Sequence, residues 1–510
     1  MVTDLLSDGR SAGVLLHPTS LPGNWESGLL GDDARRFAGL LADSGFSLWQ
    51  MLPVGPVGDS LSPYQMTSAF AGNARLIDPV PLQAAGWLPQ STVVDGGDWA
   101  KRSALLRQAW EGFRRSAGTS ERTAFAAWWQ AQRSWLLPYA LFRVAREKYG
   151  QNGWWTWPEA IRHRAPAAIS GLMKQADAQV REVAFEQWVF DRQWAGLRQH
   201  AANRGVQLMG DLPIYVDLDS ADVWWHRTLF RVDQEGQPEA VAGVPPDYFS
   251  ENGQVWGNPL YAWDRMEADG FRWWRDRVAN QMRRFDCLRI DHFRGLQAFW
   301  EVPVGARSAR EGCWREAPGA ALLQALGAGS EGRHFVAEDL GTITSEVHQL
   351  RQRYRLPGML VMQFAFDGSA DNPYLPDNQI EEAVIYTGTH DNDTLLGWYA
   401  GLGDDTRRYI NEVLHCGPED MPGALIDAVF QSPARVAILP LQDLLGLDSA
   451  GRMNVPGTTQ GNWTWRFDWP QVPADFAARW RACAAASGRL SLKSGETPVQ
   501  SQVMGRLVCP

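Results

Sequence analysis

The stretch CLRIDH at residues 287–292 is a short apolar run that closes on an acid, Asp291. The pattern returns in HFVAED at 334–339, which delivers Glu338, and in AVIYTGTHD at 383–391, which delivers Asp391. A parallel strand that carries a carboxylate to its C-terminal tip is how a β/α barrel assembles an acid/base site from several strands. Five more runs of this kind surround the three: GVLLH from Gly13, SLWQMLP from Ser47, VQLMGDLPIYV from Val206, MLVMQFAF from Met359 and VAILPL from Val436. They are apolar on both faces, as parallel strands covered by helices require. Eight such runs predict an α/β fold, a (β/α)8 TIM barrel.

Between the strands the helical period takes over. Phe37, Leu40 and Leu41 stand at i, i+3 and i+4 after the first strand, and Gly45 is placed to end that helix. Two intervals are too long to be ordinary connections. After the second strand, residues 76–205 read as a mainly helical insertion, with Leu106, Ala109, Trp110 and Phe113 on one face and Pro138 expected to kink or bound a helix. After the third, residues 217–270 are rich in Gly, Pro and aromatics. An insertion at the end of a barrel strand sits over the C-terminal face, so this one is expected to act as a lid. The chain thus divides into 1–75 (strands 1 and 2), 76–205 (helical insertion), 206–216 (strand 3), 217–270 (lid) and 271–510 (strands 4–8 and a C-terminal helix). No C-terminal β-sandwich is expected.

Composition narrows the partners. The 510 residues carry a net charge of −10 without a basic stripe, which argues against nucleic acid and anionic membranes and for a neutral ligand. Five cysteines, odd in number and never in CxxC spacing, support neither a disulfide framework nor a zinc knuckle. The start MVTDLLSDGR has no cationic segment before an apolar one, so a cytoplasmic protein is expected. No metal or cofactor is expected. The 26 tryptophans read chiefly as core, with a minority available to stack on sugar rings.

The chemistry follows from the tips. Arg289 and Asp291 are two apart on one strand and project to the same side, where the guanidinium favours an ionised carboxylate fit to act as nucleophile. Glu338 ends an apolar strand, where desolvation raises the pKa of an acid and suits it to donate a proton. Neighbouring strands can hold such a pair at the ~5–5.5 Å of a retaining glycosidase. Asp391, beside His390, comes from the far side of the mouth and can accept hydrogen bonds from ring hydroxyls. A single acid at a strand end is more often a cap, but three on strands 4, 5 and 7 are hard to obtain that way. GAGSEG at 327–332 matches a dinucleotide fingerprint, yet it follows a helical stretch and precedes a strand, the reverse of what that motif needs.

RIDHFRG, AEDLG and TGTHDND resemble the catalytic motifs of the α-amylase superfamily. HPTSLPG at His17, SPYQMTSAFAGN at Ser62, GDLPIYV at Gly210, VAGVPPDYFSENGQVWGNPLY at Val241 and RMNVPGTTQGNW at Arg452 narrow the resemblance to amylomaltases, the 4-α-glucanotransferases. That resemblance implies Asp291 as nucleophile, Glu338 as acid/base and Asp391 as transition-state stabiliser. It implies that Arg289, His292 and His390 contact the bound glucose, that Asp211 supports the same pocket, and that Tyr64, Gln254, Trp256 and Asn462 serve donor or acceptor subsites. Tyr248, Phe249 and Trp256 are the aromatics that the lid offers to an acceptor. The implied substrates are maltooligosaccharides and α-1,4-glucans derived from starch or glycogen. A hydrolase of the α-amylase type shares all three acids and is the alternative; a glucan-binding protein without catalysis would need all three to be structural.

Overall fold

The structure, a computed structural model, describes residues 9–246, 251–330 and 334–490. Eight parallel strands form the barrel: Ser11–Leu15, Leu48–Gln50, Gln207–Leu212, Cys287–Ile290, Phe335–Ala337, Gly358–Val361, Ala383–Tyr386 and Val436–Pro440. They neighbour one another in sequence order, the eighth pairing with the first. The ring closes between the fifth and sixth, where the Ala337 amide donates to the Pro357 carbonyl at 2.9 Å.

The two-residue period of the strands explains why polar groups gather at one end. Met209, Cys287, Val336, Met359, Val361, Val384 and Tyr386 point inward and form a buried apolar cluster in the barrel. Two residues further along the same inward rows come Asp211, Arg289 and then Asp291, and Glu338. The alternate residues, including Leu208, Leu212, Leu288, Ile290 and Phe335, point outward into the larger core under the helices. The lower barrel is therefore filled with hydrocarbon and the upper layer with charge.

Helix Asp32–Asp43 lies outside the first strand, and Gly45 follows it at φ +79°, as expected of a helix-ending glycine. Helices Trp99–Ser116, Thr119–Tyr149 and Asp177–Ala202 pack together between the second and third strands. Their shared interior is aromatic: Trp87, Trp110, Phe113, Phe125, Phe185 and Trp188 form one connected network of ring contacts. Pro138 does not bound a helix, because Thr119–Tyr149 runs through it. The ring removes a single backbone hydrogen bond, and the fully buried Leu136, Ala140, Leu141 and Phe142 around it hold the segment in place. Twelve of the tryptophans are buried and only Trp314, at 37%, exceeds a third exposed, so the indoles serve chiefly the core.

The interval after the third strand contains order that the sequence did not disclose. Strands Ala240–Val244 and Gln254–Pro259 pair antiparallel and are extended by Ala298–Pro303 and Cys313–Glu316, which follow the fourth barrel strand. The result is a four-stranded cap sheet built from both sides of barrel strand 4. Its residues Gly243 and Pro259 are poor strand formers, and two of its strands, Gln254–Pro259 and Cys313–Glu316, are largely exposed, so the local pattern is weak. After Pro440 the described residues contain no further strand; helix Phe476–Ala486 packs back against Asp32–Asp43. None of the described helices is long and apolar enough to cross a membrane.

Candidate active site

Register places the first charges. Asp211 on strand 3 lies directly beside Arg289 on strand 4, and both are buried. Arg289 Nη1 donates to both oxygens of Asp211, at 2.8 and 2.7 Å, and stands 2.9 Å from Asp291 Oδ1. One guanidinium nitrogen thus bridges two acids. Tyr64 donates its hydroxyl to Asp211 Oδ2 at 2.7 Å. Burial pushes the pKa of Asp211 up, and Arg289 works against that rise. Asp291, with its side chain 25% exposed, is the member of this group that faces the cleft.

Glu338 is tied to the turn that follows Asp291. His292 adopts a left-handed backbone, φ 49° and ψ 49°, which costs a non-glycine residue about 1 kcal/mol. Its N–H donates to Glu338 Oε2 at 2.7 Å, while the Leu340 N–H donates to Oε1 at 2.9 Å. Main-chain bonds from Phe293 N to Glu338 O and from Glu338 N to Ile290 O complete the link between the strand tips. Desolvation, aided by the negative charge of Asp291, pushes the Glu338 carboxyl up to about 7; Arg289 and the two backbone donors oppose it. The expected raised acid is therefore present, for the expected reason, but its two backbone donors were not foreseen. A carboxyl with that value carries its proton for much of the neutral range and can return it as a base.

The His292 ring packs edge-on against Trp256 from the cap sheet, centroids 4.8 Å apart. Burial holds this imidazole neutral, with its pKa lowered to about 4, and its Nε2 has no protein partner among the described residues. Trp256 Nε1 donates to Gln254 Oε1 at 3.1 Å, so these two cap-sheet residues stand together beside His292.

Asp391 lies five residues beyond strand 7 and is far more open, its side chain 49% exposed. His390 Nε2 is 3.4 Å from its Oδ2. The Asn454 amide donates to Oδ1 at 2.6 Å, and Arg452 Nη2 donates to the Asp391 carbonyl at 2.7 Å. His390 in turn stacks on Tyr64, centroids 5.3 Å apart and planes 19° from parallel, with Trp463 beside both.

Tyr64, Asp211, Arg289, Asp291, His292, Glu338, His390 and Asp391 are thus brought together by direct contacts, and Trp256 with Gln254 joins them through His292. Asn462 is committed to its own loop: its Oδ1 accepts from Val455 N at 2.9 Å and its amide donates to the Thr458 carbonyl and hydroxyl. Tyr248 and Phe249 lie outside the described residues. Residues not singled out from the sequence also contribute. Asn454, Arg452 and Trp463 hold the Asp391 side, and buried His17 lies close enough to His390 for the two charges to oppose one another. Their only signal was membership of the blocks beginning at His17 and Arg452. Among the described residues no group of three or more His, Cys, Asp or Glu is arranged to hold a metal ion.

Comparison with known proteins agrees along nearly the whole chain. A family profile described as 4-alpha-glucanotransferase matches residues 16–471. A 4-alpha-glucanotransferase of Thermus thermophilus is 45% identical over 496 residues, covering 94% of this chain and 99% of its own. One from Synechocystis is 43% identical, covering 90% and 94%. The amylomaltase from Streptococcus agalactiae, solved in complex with acarbose, superposes with a TM-score of 0.90 at 32% identity, over 94% of this chain and all of that one. From barrel to motif blocks, the chain belongs to the 4-alpha-glucanotransferase family, the amylomaltases.

Proposed function

We propose that this 4-α-glucanotransferase works by a retaining double displacement, moving α-1,4-glucan segments from a donor maltooligosaccharide to the 4-hydroxyl of an acceptor glucan or of glucose. The observation that carries the proposal is the pairing of a carboxyl held near 7, Glu338, with a carboxylate anchored by Arg289, Asp291, on adjacent strand tips. Glu338 protonates the glycosidic oxygen while Asp291 attacks the anomeric carbon; the leaving fragment departs with that proton, and a glycosyl ester remains on Asp291. Glu338, now a base, takes the proton of the incoming 4-hydroxyl as that oxygen displaces Asp291. Asp391 accepts hydrogen bonds from ring hydroxyls as the sugar flattens.

The remaining residues orient the sugar. Asp211 and Tyr64 fix Arg289, and the neutral His292 has an Nε2 available to a hydroxyl. His390 borders the same pocket. Trp256 and Gln254 serve the outer subsites, where an aromatic ring that excludes water favours sugar over hydrolysis, and Tyr248 and Asn462 are assigned there by the family resemblance alone. The acarbose held by the S. agalactiae relative supports a glucan-shaped cleft. Starch- or glycogen-derived glucans in the cytoplasm are the substrates we assign. A maltotriose time course tests transfer against the hydrolase alternative. Glucose and a ladder of longer maltooligosaccharides at nearly constant reducing-end count are expected; a steady rise in reducing ends would refute transfer.

A further inference from the structure

The acids on strands 3 to 5 are held by Arg289, Tyr64 and the backbone, whereas Asp391 depends on side chains from a distant loop. We infer that Asn454, clipped in place by Arg452, is the positioning residue that makes Asp391 fit to stabilise the transition state; the inference rests on the reading of Asp391 given above.

Three observations converge. First, the Asn454 amide donates to Asp391 Oδ1 at 2.6 Å, and Asn454 itself is only 9% exposed although Asp391 is open to the cleft. Second, Arg452 links the two main chains: Nη2 donates to the Asp391 carbonyl and Nε to the Asn454 carbonyl, each at 2.7 Å. Third, Asn454 opens a closed loop. Trp463 N donates to the Met453 carbonyl at 2.8 Å, and Asn462 bonds Val455 and Thr458 inside it. The two stems therefore do different work. Asn454 reaches Asp391, while Trp463, at φ 64°, lies beside Tyr64 and His390.

The consequence is chemical. A carboxylate half open to solvent samples several rotamers, and donation to Oδ1 leaves one of them favoured, with Oδ2 turned to His390 and the cleft. Asn454 touches no reacting atom in this scheme and works only through Asp391.

The charged and titratable groups around this contact are His390, Arg452, Asp393, Tyr64 and, beneath His390, His17. Against them two variants are compared with wild type by steady-state kinetics on maltotriose from pH 5 to 8, with thermal melts alongside. Asn454→Ala is expected to lower kcat about 10- to 100-fold with KM within about twofold, because the loss falls on the transition state. Asn454→Asp sets two carboxyls side by side; sharing one proton, they mimic the native donor in acid and repel when both ionise. Its kcat is expected to lie within about threefold of wild type near pH 5 and to fall at least about tenfold further by pH 8. A purely structural role would instead lower the melting temperature, move KM and leave the pH profile parallel to wild type. Asn454→Ala with kcat within twofold of wild type, or Asn454→Asp with a parallel profile, overturns the inference. Asp391→Asn, run in the same series, separates the two claims: if it keeps wild-type kcat, the role of Asp391 itself has failed.

Discussion

The two sides of the cleft are built differently. On one side Asp211, Arg289, Asp291 and Glu338 come from three adjacent strands, and apart from Tyr64 on Asp211 their polar partners are one another or the main chain. On the other, Asp391 lies on a loop beyond strand 7 and takes its donors from a second loop beyond strand 8. The first side is fixed once the barrel folds. The second is held by side chains that join two loops.

The largest effect should come from the rigid side. Replacing Asp291 by Asn removes the proposed nucleophile and is expected to lower kcat at least about 10⁴-fold, as for other residues that act as a unit, while glucan binding measured by calorimetry persists. Substantial turnover in that variant would break the comparison at its centre.

Glu338→Gln comes next, with an expected loss of about 10²–10⁴-fold on maltooligosaccharides, the range for general acid–base catalysis. The first step should recover when the donor has a leaving group that needs no proton, such as fluoride. The wild-type pH profile carries a related signature. Since Glu338 must hold a proton to act as acid and its carboxyl titrates at about 7, kcat/KM should fall as pH rises through that value. The sign for stability is the same. The folded protein binds this proton more tightly than the unfolded chain, whose glutamate titrates at about 4.5; between those values the folded state holds more protons, so stability declines as pH rises. The melting temperature of Glu338→Gln relative to wild type should therefore be higher at pH 8 than at pH 5. A difference that does not change with pH would place the proton elsewhere.

The smallest effect belongs to the cap sheet, which brings Trp256 to the cleft against His292. Trp256→Ala should raise KM for an acceptor about tenfold, equivalent to ~1.4 kcal/mol, with kcat changed little. It should also raise the share of donor lost to water, read as reducing ends released per glucose transferred. If that variant loses kcat as severely as Asp291→Asn, the cap sheet belongs with the rigid side.

The same division governs how much could be read in advance. All eight barrel strands were legible, because each is a local apolar run, and the inward rows Met209–Asp211 and Cys287–Arg289–Asp291 follow from a period of two. The Glu338 environment was partly legible: its apolar strand announced desolvation, but the backbone donors depend on the left-handed turn at His292, which no residue type there signals. Asn454 was not legible as a partner of Asp391, for it lies 63 residues away on a loop with no period. The cap sheet was missed for the same reason, since its halves come from either side of barrel strand 4. Long-range pairings carried by polar loops leave no periodic trace.

The central claim is that a glycosyl group passes through Asp291. Glu338→Gln incubated with an α-maltotriosyl fluoride should form the ester, because fluoride leaves unaided, and should then stall, because no base activates the acceptor. Mass spectrometry of the peptides should find one maltotriosyl adduct on Asp291. Consumption of the donor with no adduct, or an adduct on another residue, would contradict the account.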